Sequence, residues 1–339
     1  NKSKISAVAE GTLAMILPED VCKDQQLSVE AFQDLCARNN MPGLPSKLLG
    51  WLNLYEMESF DGGRKHYIGQ HDKNRRVCRW CGKKMPEVTF YEKAHAISEA
   101  LGNKQVILCD ECDGCNGQFG RTIENAVIAF LQFDSALFGI HGKNGIPEIK
   151  RGEQVLISND GKRNLHFEVL ESDARVVDGL PVGITIRSPQ AIIKQDVYRG
   201  LCKYALSCVS QDVFRRYLWL LPWLNKKCDF EKLPLVAMRQ MRNVVSYPLL
   251  TTFVRKVEED DKPSFYCTLS HGLHEYAFVI PCDEEERVRF AKDDRITQFW
   301  RDAPSCHGEG FKVWDLSGQQ EEHITCNLNF QCRHGAEHG

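Results

Sequence analysis

No stretch of the 339-residue sequence is long and apolar enough to cross a bilayer as a helix, so no membrane attachment is expected. An excess of positive charge is missing too: 43 Lys and Arg against 46 Asp and Glu leave a net charge of -3. That balance supplies no global attraction to a polyanion, so contact with nucleic acid has to come from a local patch. Internal repeats and low-complexity tracts are absent. The opening NKSKISAVAEGTLAMILPED carries lysines before apolar residues. Glu10 interrupts that apolar part and no clear small-residue cleavage pattern follows, so it does not read as a secretory signal.

Cysteine, by contrast, is plentiful. Fifteen of them, an odd number scattered over a long chain, argue against a disulfide scaffold. They argue for reduced thiols in a cytoplasmic setting, with a subset on metal. A hydrophobic content of 42% with 26% charged residues suffices for ordinary cores, and the length suits two domains with room for a small third element. Positive charge is concentrated in one place: Arg64, Lys65, Lys73, Arg75, Arg76, Arg79, Lys83 and Lys84 stand against a single acid, Asp72. This lead-in reads as a phosphate-contacting patch rather than a solvated loop, with Arg75, Arg76 and Arg79 as the expected contacts.

The lead-in runs into the stretch around which the chain is organised, Val77–Phe130. It holds one Cys-x-x-Cys at Cys78 and Cys81 and another at Cys112 and Cys115, the pattern of four thiolates on one tetrahedral Zn²⁺. Cys109 makes a further Cys-x-x-Cys with Cys112. Between the hooks lie His95 and Asn103, and Asn116 follows the last cysteine. VTFYEKAHAI is rich in β-formers and reads as a strand over residues 88–97; ALGNK is a loop, and QVILC a second short strand. CNGQFGRTIENAVIAFLQF reads as one helix with Phe119, Ile123, Val127 and Phe130 on its apolar face. The result is a ββα unit, with His95 at the end of its first strand and Asn116 near the start of its helix.

The remaining sequence reads more plainly. Residues 1–62 form a helical N-terminal segment: Ser28 can cap VEAFQDLCARNN and Ser46 can cap KLLGWLNLYEM, a small bundle rather than a helix-turn-helix. Four glycines and a proline in 139–154 mark a linker. Residues 151–339 read as an α+β domain. EQVLIS and NLHFEVL flank a hairpin turn at Asn159-Asp160-Gly161-Lys162, and GITIRS is a further strand. Asp196–Leu224 is helical, with Val197, Leu201, Tyr204, Ala205 and Cys208 on one stripe and Pro222 at its end. PLLTTFVRKV, SFYCTLS, EYAFVIPC and FKVWDLS add strands, with a turn at Ser270-His271-Gly272-Leu273. The acidic runs Glu258–Asp261 and Asp283–Glu286 read as solvated turns. Cys326, Cys332, His334 and His338 invite a second metal site, but their spacing fits no usual ligand pattern.

The central stretch resembles the HNH (His-Me finger) endonucleases, in the branch whose ββα-metal core is stapled by a zinc on four cysteines. The matching features are the first Cys-x-x-Cys, a histidine followed by Ile-x-Glu-x-Leu-Gly, and Cys-x-x-Cys-Asn leading into Phe-Gly-x-x-Ile-Glu. The Asn after Cys115 favours Cys112 and Cys115, over Cys109 and Cys112, as the second hook. The resemblance implies a nuclease domain over residues 63–138, within an α+β chain that also carries the helical segment and the C-terminal domain with its antiparallel sheet. It gives His95 the role of general base, for which an imidazole titrating near neutrality is suited. It gives Asn103 the task of holding the loop so that the ring stays aimed. Asn116 then contributes an oxygen to one Mg²⁺- or Mn²⁺-like ion, separate from the zinc because hard ions prefer oxygen.

The family often places an acid or a second histidine just before the catalytic histidine, as a further ligand to that ion. Here that position is Ala94, so Glu92, Glu99 or Glu124 has to replace it, and Glu99 is favoured. The expected activity is metal-dependent phosphodiester hydrolysis, in DNA rather than RNA because the resemblance points there and no RNA-stacking motif stands out. A defence or restriction effector is expected by analogy, with a regulatory protein partner or a homodimer. The alternative is a non-catalytic zinc module that binds nucleic acid or a partner protein.

Overall fold

The computed structural model describes residues 50–162, 164–168, 173–177, 180–257, 261–303 and 310–329. The expected helix capped by Ser28, most of the one capped by Ser46, and Cys332, His334 and His338 lie outside them. A helical turn at 50–54 gives way to strand β1 (Tyr55–Asp61), where the sequence pattern predicts helix as far as Met57. The reason is long-range: β1 lies antiparallel along the far half of β9, Tyr55 opposite Arg255 and Asp61 opposite Leu249.

Next come β2 (His66–Ile68) and β3 (Val106–Leu108), which pair in parallel. The strand expected over residues 88–97 is reduced to one antiparallel bridge between His95 and Ile107. Around it the Ala96 amide donates to the Val106 carbonyl and the Leu108 amide to the Ala94 carbonyl, each at 3.0 Å. Residues 89–92 are drawn instead to the start of the following helix, because Asp113 accepts from the Thr89 hydroxyl and from the Tyr91 and Glu92 amides. The single helix expected next is two, α1 (Asp113–Arg121) and α2 (Ile123–Leu137). They part at Thr122, whose φ of -117° and ψ of -99° are not helical. All four residues of the expected apolar stripe, Phe119, Ile123, Val127 and Phe130, are buried.

Beyond α2, β4 (Ile149–Arg151), β5 (Gln154–Asn159) and β6 (Leu165–Phe167) form a small antiparallel sheet that contains the expected hairpin. β7 (Ala174–Val177) and β8 (Leu180–Ile193) belong to a second sheet. The long helix expected over Asp196–Leu224 is broken into α3 (Lys194–Ser207), α4 (Gln211–Arg215) and α5 (Leu221–Leu224). Pro222 sits in the first turn of α5, where a missing N–H costs nothing, rather than ending a helix.

The largest sheet is built on β9 (Val236–Arg255), which pairs along its length with β10 (Phe265–Val279). The expected turn at Ser270–Leu273 is not a turn. β10 runs through it with a bulge at Gly272, whose φ of +57° lets the extra residue fit. Asp283 is the N-cap of α6 (Glu284–Phe290), so the second acidic run opens a helix rather than a solvated turn. In the first acidic run, residues 258–260 lie outside the described residues. After α7 (Asp293–Asp302), β11 (Phe311–Trp314) pairs with the near half of β9. β12 (Glu321–Asn329), which contains Cys326, pairs with β8.

These antiparallel sheets with helices packed on them make the fold α+β, as expected. One hydrophobic cluster runs without interruption from Cys78 and Trp80, through α1 and α2, to α3, Phe214 and the strands β9 and β10. α3 is buried on every side from Gln195 to Ser207. It crosses α2 at Gly200, where a Cβ would stand 2.3 Å from Val127 Cγ2 and 2.6 Å from the Ile123 carbonyl oxygen. Only glycine permits that approach.

Candidate functional site

The two Cys-x-x-Cys hooks meet. The sulfur atoms of Cys78, Cys81, Cys112 and Cys115 all lie within 4.8 Å of one another, the only such ligand cluster among the described residues. Zn–S bonds of about 2.3 Å at tetrahedral angles set sulfurs about 3.8 Å apart, and Cys81 and Cys112 stand at 3.9 Å, so the donor set fits a tetrahedral thiolate site. Local sequence builds each half. In the first, Gly82 takes a φ of +71° and returns its amide to the Cys78 carbonyl at 2.8 Å, closing the knuckle. In the second, Cys112 is the N-cap of α1 and Cys115 lies in its first turn. A hydrogen bond from Cys115 pulls the Cys78 thiol down to about 5 against the effect of burial, with the amides of Cys112, Cys81 and Trp80 adding to it. Donors aimed at a sulfur are what a ligating thiolate requires. Cys109 stays outside the cluster, its thiol pushed up by burial at the end of β3.

His95 is half-buried, pinned through its backbone to the centre of β3. Burial lowers its pKa below the ordinary 6.5; Glu99 opposes the fall, and Lys93, Lys104 and Lys203 reinforce it. The ring is therefore neutral at physiological pH, with a lone pair free to accept a proton. Asn103 is fully buried and uses both ends of its amide. Nδ2 donates to the carbonyls of Ile97 at 2.7 Å and Val106 at 3.0 Å, while Oδ1 accepts from the Gln105 and Val106 amides. It staples the loop between His95 and β3 shut.

Asn116, one residue past the last cysteine, donates from Nδ2 to Glu92 Oε2 at 3.1 Å. Of the three acids considered in place of a ligand at Ala94, Glu92 is therefore the one that meets Asn116. Glu99, the favoured acid, lies on the turn Glu99–Leu101, 3.9 Å from Lys104 Nζ. Its charge acts on His95. Glu124 is buried and bound to Lys203 Nζ at 2.7 Å. Glu92 thus meets Asn116, whereas Glu99, the acid favoured from the sequence, faces Lys104. The contact arises because residues 89–92 are not part of the expected strand: Asp113 pulls them onto the first turn of α1.

The three expected phosphate contacts separate. Arg75 is exposed at the end of the turn Lys73–Arg75. Arg76 is half-buried; it donates to the carbonyls of Gln70 and His71 and lies over the Phe90 ring, so it shapes the lead-in loop. Arg79 is a correction. Its side chain is wholly buried, paired with Asp110 at 3.0 Å and bonded through Nη1 to the carbonyls of Leu206, Ser207 and Val209. The first two of those carbonyls end α3 and the third follows it, so the guanidinium satisfies acceptors that a helix leaves open and cannot reach a phosphate.

Lys203 is a second buried cation, unforeseen in the sequence. Against the effect of burial, Glu111 and Glu124 hold its ammonium above its usual range. It also lies 5.9 Å from the centres of the Trp80 and Phe119 rings. Burial pushes the Glu111 carboxyl up to about 7 even beside that cation. Arg79 and Lys203 together tie the hook region to α3, and the ion-pair and hydrogen-bond partners of their charged groups are more than ninety residues away in the sequence except in Arg79–Asp110 and Lys203–Glu124.

Residues 78–131 match the family model described as HNH endonuclease. The match begins at the first cysteine of the first hook and ends within α2. No curated protein and no solved structure matches the chain.

Proposed function

From an HNH endonuclease segment at residues 78–131, we propose that this chain is a metal-dependent nuclease that hydrolyses phosphodiester bonds in DNA. The observation that carries the reading is the first turn of α1. There the four-thiol clamp fixes Asn116 beside the Glu92 carboxylate, on the same small unit that holds a neutral imidazole. Zn²⁺ on Cys78, Cys81, Cys112 and Cys115 has a structural role in this scheme. The oxygens of Glu92 and Asn116 suit a hard divalent ion, and Mg²⁺ or Mn²⁺ held there supplies positive charge to the developing phosphorane and the departing alkoxide.

His95 takes a proton from water as the water oxygen bonds to phosphorus, and the bond from phosphorus to the leaving sugar oxygen breaks. Asn103 is a positioning residue that keeps the His95 loop closed, and Arg75, the exposed one of the three expected arginines, meets phosphate.

Plasmid incubated with Mg²⁺ or Mn²⁺ should be nicked or linearised. His95→Ala should lower the rate by roughly 10² or more, the usual contribution of a general base. Glu92→Ala should raise the Mn²⁺ concentration needed for half-maximal cutting. Cutting at the wild-type rate by the His95 variant would remove the assignment. Ala94, in place of an acid, favours the second reading, a zinc module that binds nucleic acid without cutting. In that case wild type and His95→Ala bind the plasmid alike and neither cuts it. RNA run in parallel separates the two substrates.

A further inference from the structure

A cleft of about 490 Å³ opens where segments from four parts of the chain converge. Lys104 comes from the residue after Asn103, Phe138 and His141 from the turn after α2, Asn159 from the β5–β6 hairpin, and Ser246 and Tyr247 from the middle of β9. Among the described residues no carboxylate lines it. Most of these residues lie outside the matched segment 78–131.

The cleft is joined to the His95 loop by backbone. The amides of Lys104 and Gln105 both donate to the Gly62 carbonyl, at 2.9 and 3.1 Å, and the Gly62 amide donates to the Pro248 carbonyl at 2.8 Å. The Gly62-Gly63 turn is thereby fixed between the loop stapled by Asn103 and the residue after Tyr247. Gly63 also braces the aromatic ring: a Cβ there would lie 2.8 Å from Tyr247 Cδ2 and 3.1 Å from Cε2. The ring rests on bare backbone, yet Tyr247 keeps 47% of its surface exposed. Lys104 Nζ donates to the Gly142 carbonyl at 3.2 Å and lies 3.9 Å from Glu99, which leaves a donor for a ligand. Arg64 and Lys65, the start of the basic lead-in, follow the same turn directly.

A braced, exposed aromatic ring, an ammonium, an imidazole and an acid-free lining match a single chemistry: a base to stack and a phosphate to hold. Resting on the nuclease reading, we propose that this cleft binds an unpaired nucleotide of the substrate strand. Its base stacks on Tyr247 and its phosphate lies against Lys104 and His141. A base inside a duplex keeps both faces stacked, so the substrate has to be single-stranded or frayed at this position.

The test uses the zinc-loaded full chain without added Mg²⁺ or Mn²⁺, so that binding is read apart from cutting. Fluorescence anisotropy compares a single-stranded DNA oligonucleotide, its duplex, and a free deoxynucleoside monophosphate as competitor. Tyr247→Ala should weaken single-strand binding roughly tenfold and Tyr247→Phe should keep it, as expected for stacking. Lys104→Ala should reduce the slope of log K against log salt by about 0.7, one phosphate contact on a single strand. An oligonucleotide bearing 5-iodouracil should photo-crosslink to Tyr247 in wild type. Unchanged single-strand affinity in Tyr247→Ala, with no crosslink, would overturn the proposal while leaving plasmid cutting and the nuclease reading intact. Tight binding of the free nucleotide that the strand cannot displace would overturn it in favour of a small-molecule pocket. Failure of plasmid cutting, with the cleft variants still weakening binding, would remove the nuclease and leave the cleft.

Discussion

Burial and four nearby charges set the ionisation of the His95 ring, the base of the proposed reaction. Burial and three lysines lower its pKa; Glu99 alone among them raises it. Protonation switches such a base off, so activity is lost as pH falls through the folded-state pKa. The acid limb of the kcat/KM profile should therefore lie below 6.5, the ordinary imidazole value. Glu99→Gln removes the raising charge and should move that limb to still lower pH. A limb that stays in place would detach Glu99 from the ring, and loss of metal affinity in the same variant would make Glu99 a ligand of the ion. Arg79 shows the opposite use of a charge. Buried against Asp110 and the end of α3, it is exempt from the salt-dependent work expected of the lead-in arginines.

Among the elements, α3 has the least freedom. It is buried all round, and its buried charged residues survive there because each is paired: Asp196 with Arg199 and Lys226, Lys203 with two glutamates. Its crossing over α2 depends on Gly200. Gly200→Ala raises helix propensity and in an open helix would stabilise; here the added methyl meets Val127 and the Ile123 carbonyl. Overpacking of this kind costs about 1–3 kcal/mol, so urea or thermal unfolding should show a loss of stability. A gain would mean that the helices part without strain. The break between α1 and α2 has a related cause. Thr122 turns its hydroxyl back to the Gln118 carbonyl at 2.8 Å, competing with the backbone for the helical bond.

At the scale of the whole molecule, the hooks and α3 form one body. The two residues between Cys78 and Cys81 are Arg79, which caps α3, and Trp80, which packs on Phe119 and Phe214 at about 5 Å. Stripping the metal with a chelator should therefore do more than loosen residues 78–116. Hydrogen exchange should rise in α1 and in α3 together. Protection of α3 that survives metal removal would show that the hooks are an independent unit.

The parts legible in the sequence were those whose partners lie close along the chain. Cys78 with Cys81 and Cys112 with Cys115 sit within a few residues of each other, so spacing carries their chemistry; the task of Asn103 came from the family resemblance, and the groups it bonds also lie within a few residues. The β5–β6 hairpin and the stripe Phe119, Ile123, Val127, Phe130 were readable for the same reason. Tertiary packing decided the rest. It took Arg79 from phosphate to a helix end, brought Glu92 rather than Glu99 to Asn116, buried Lys203 between two glutamates, and turned Tyr55–Asp61 into a strand. It also assembled Tyr247, His141 and Lys104 around one cleft. Each of those outcomes depends on which distant surface excludes water from a side chain, and a charge pattern along the chain carries no record of that.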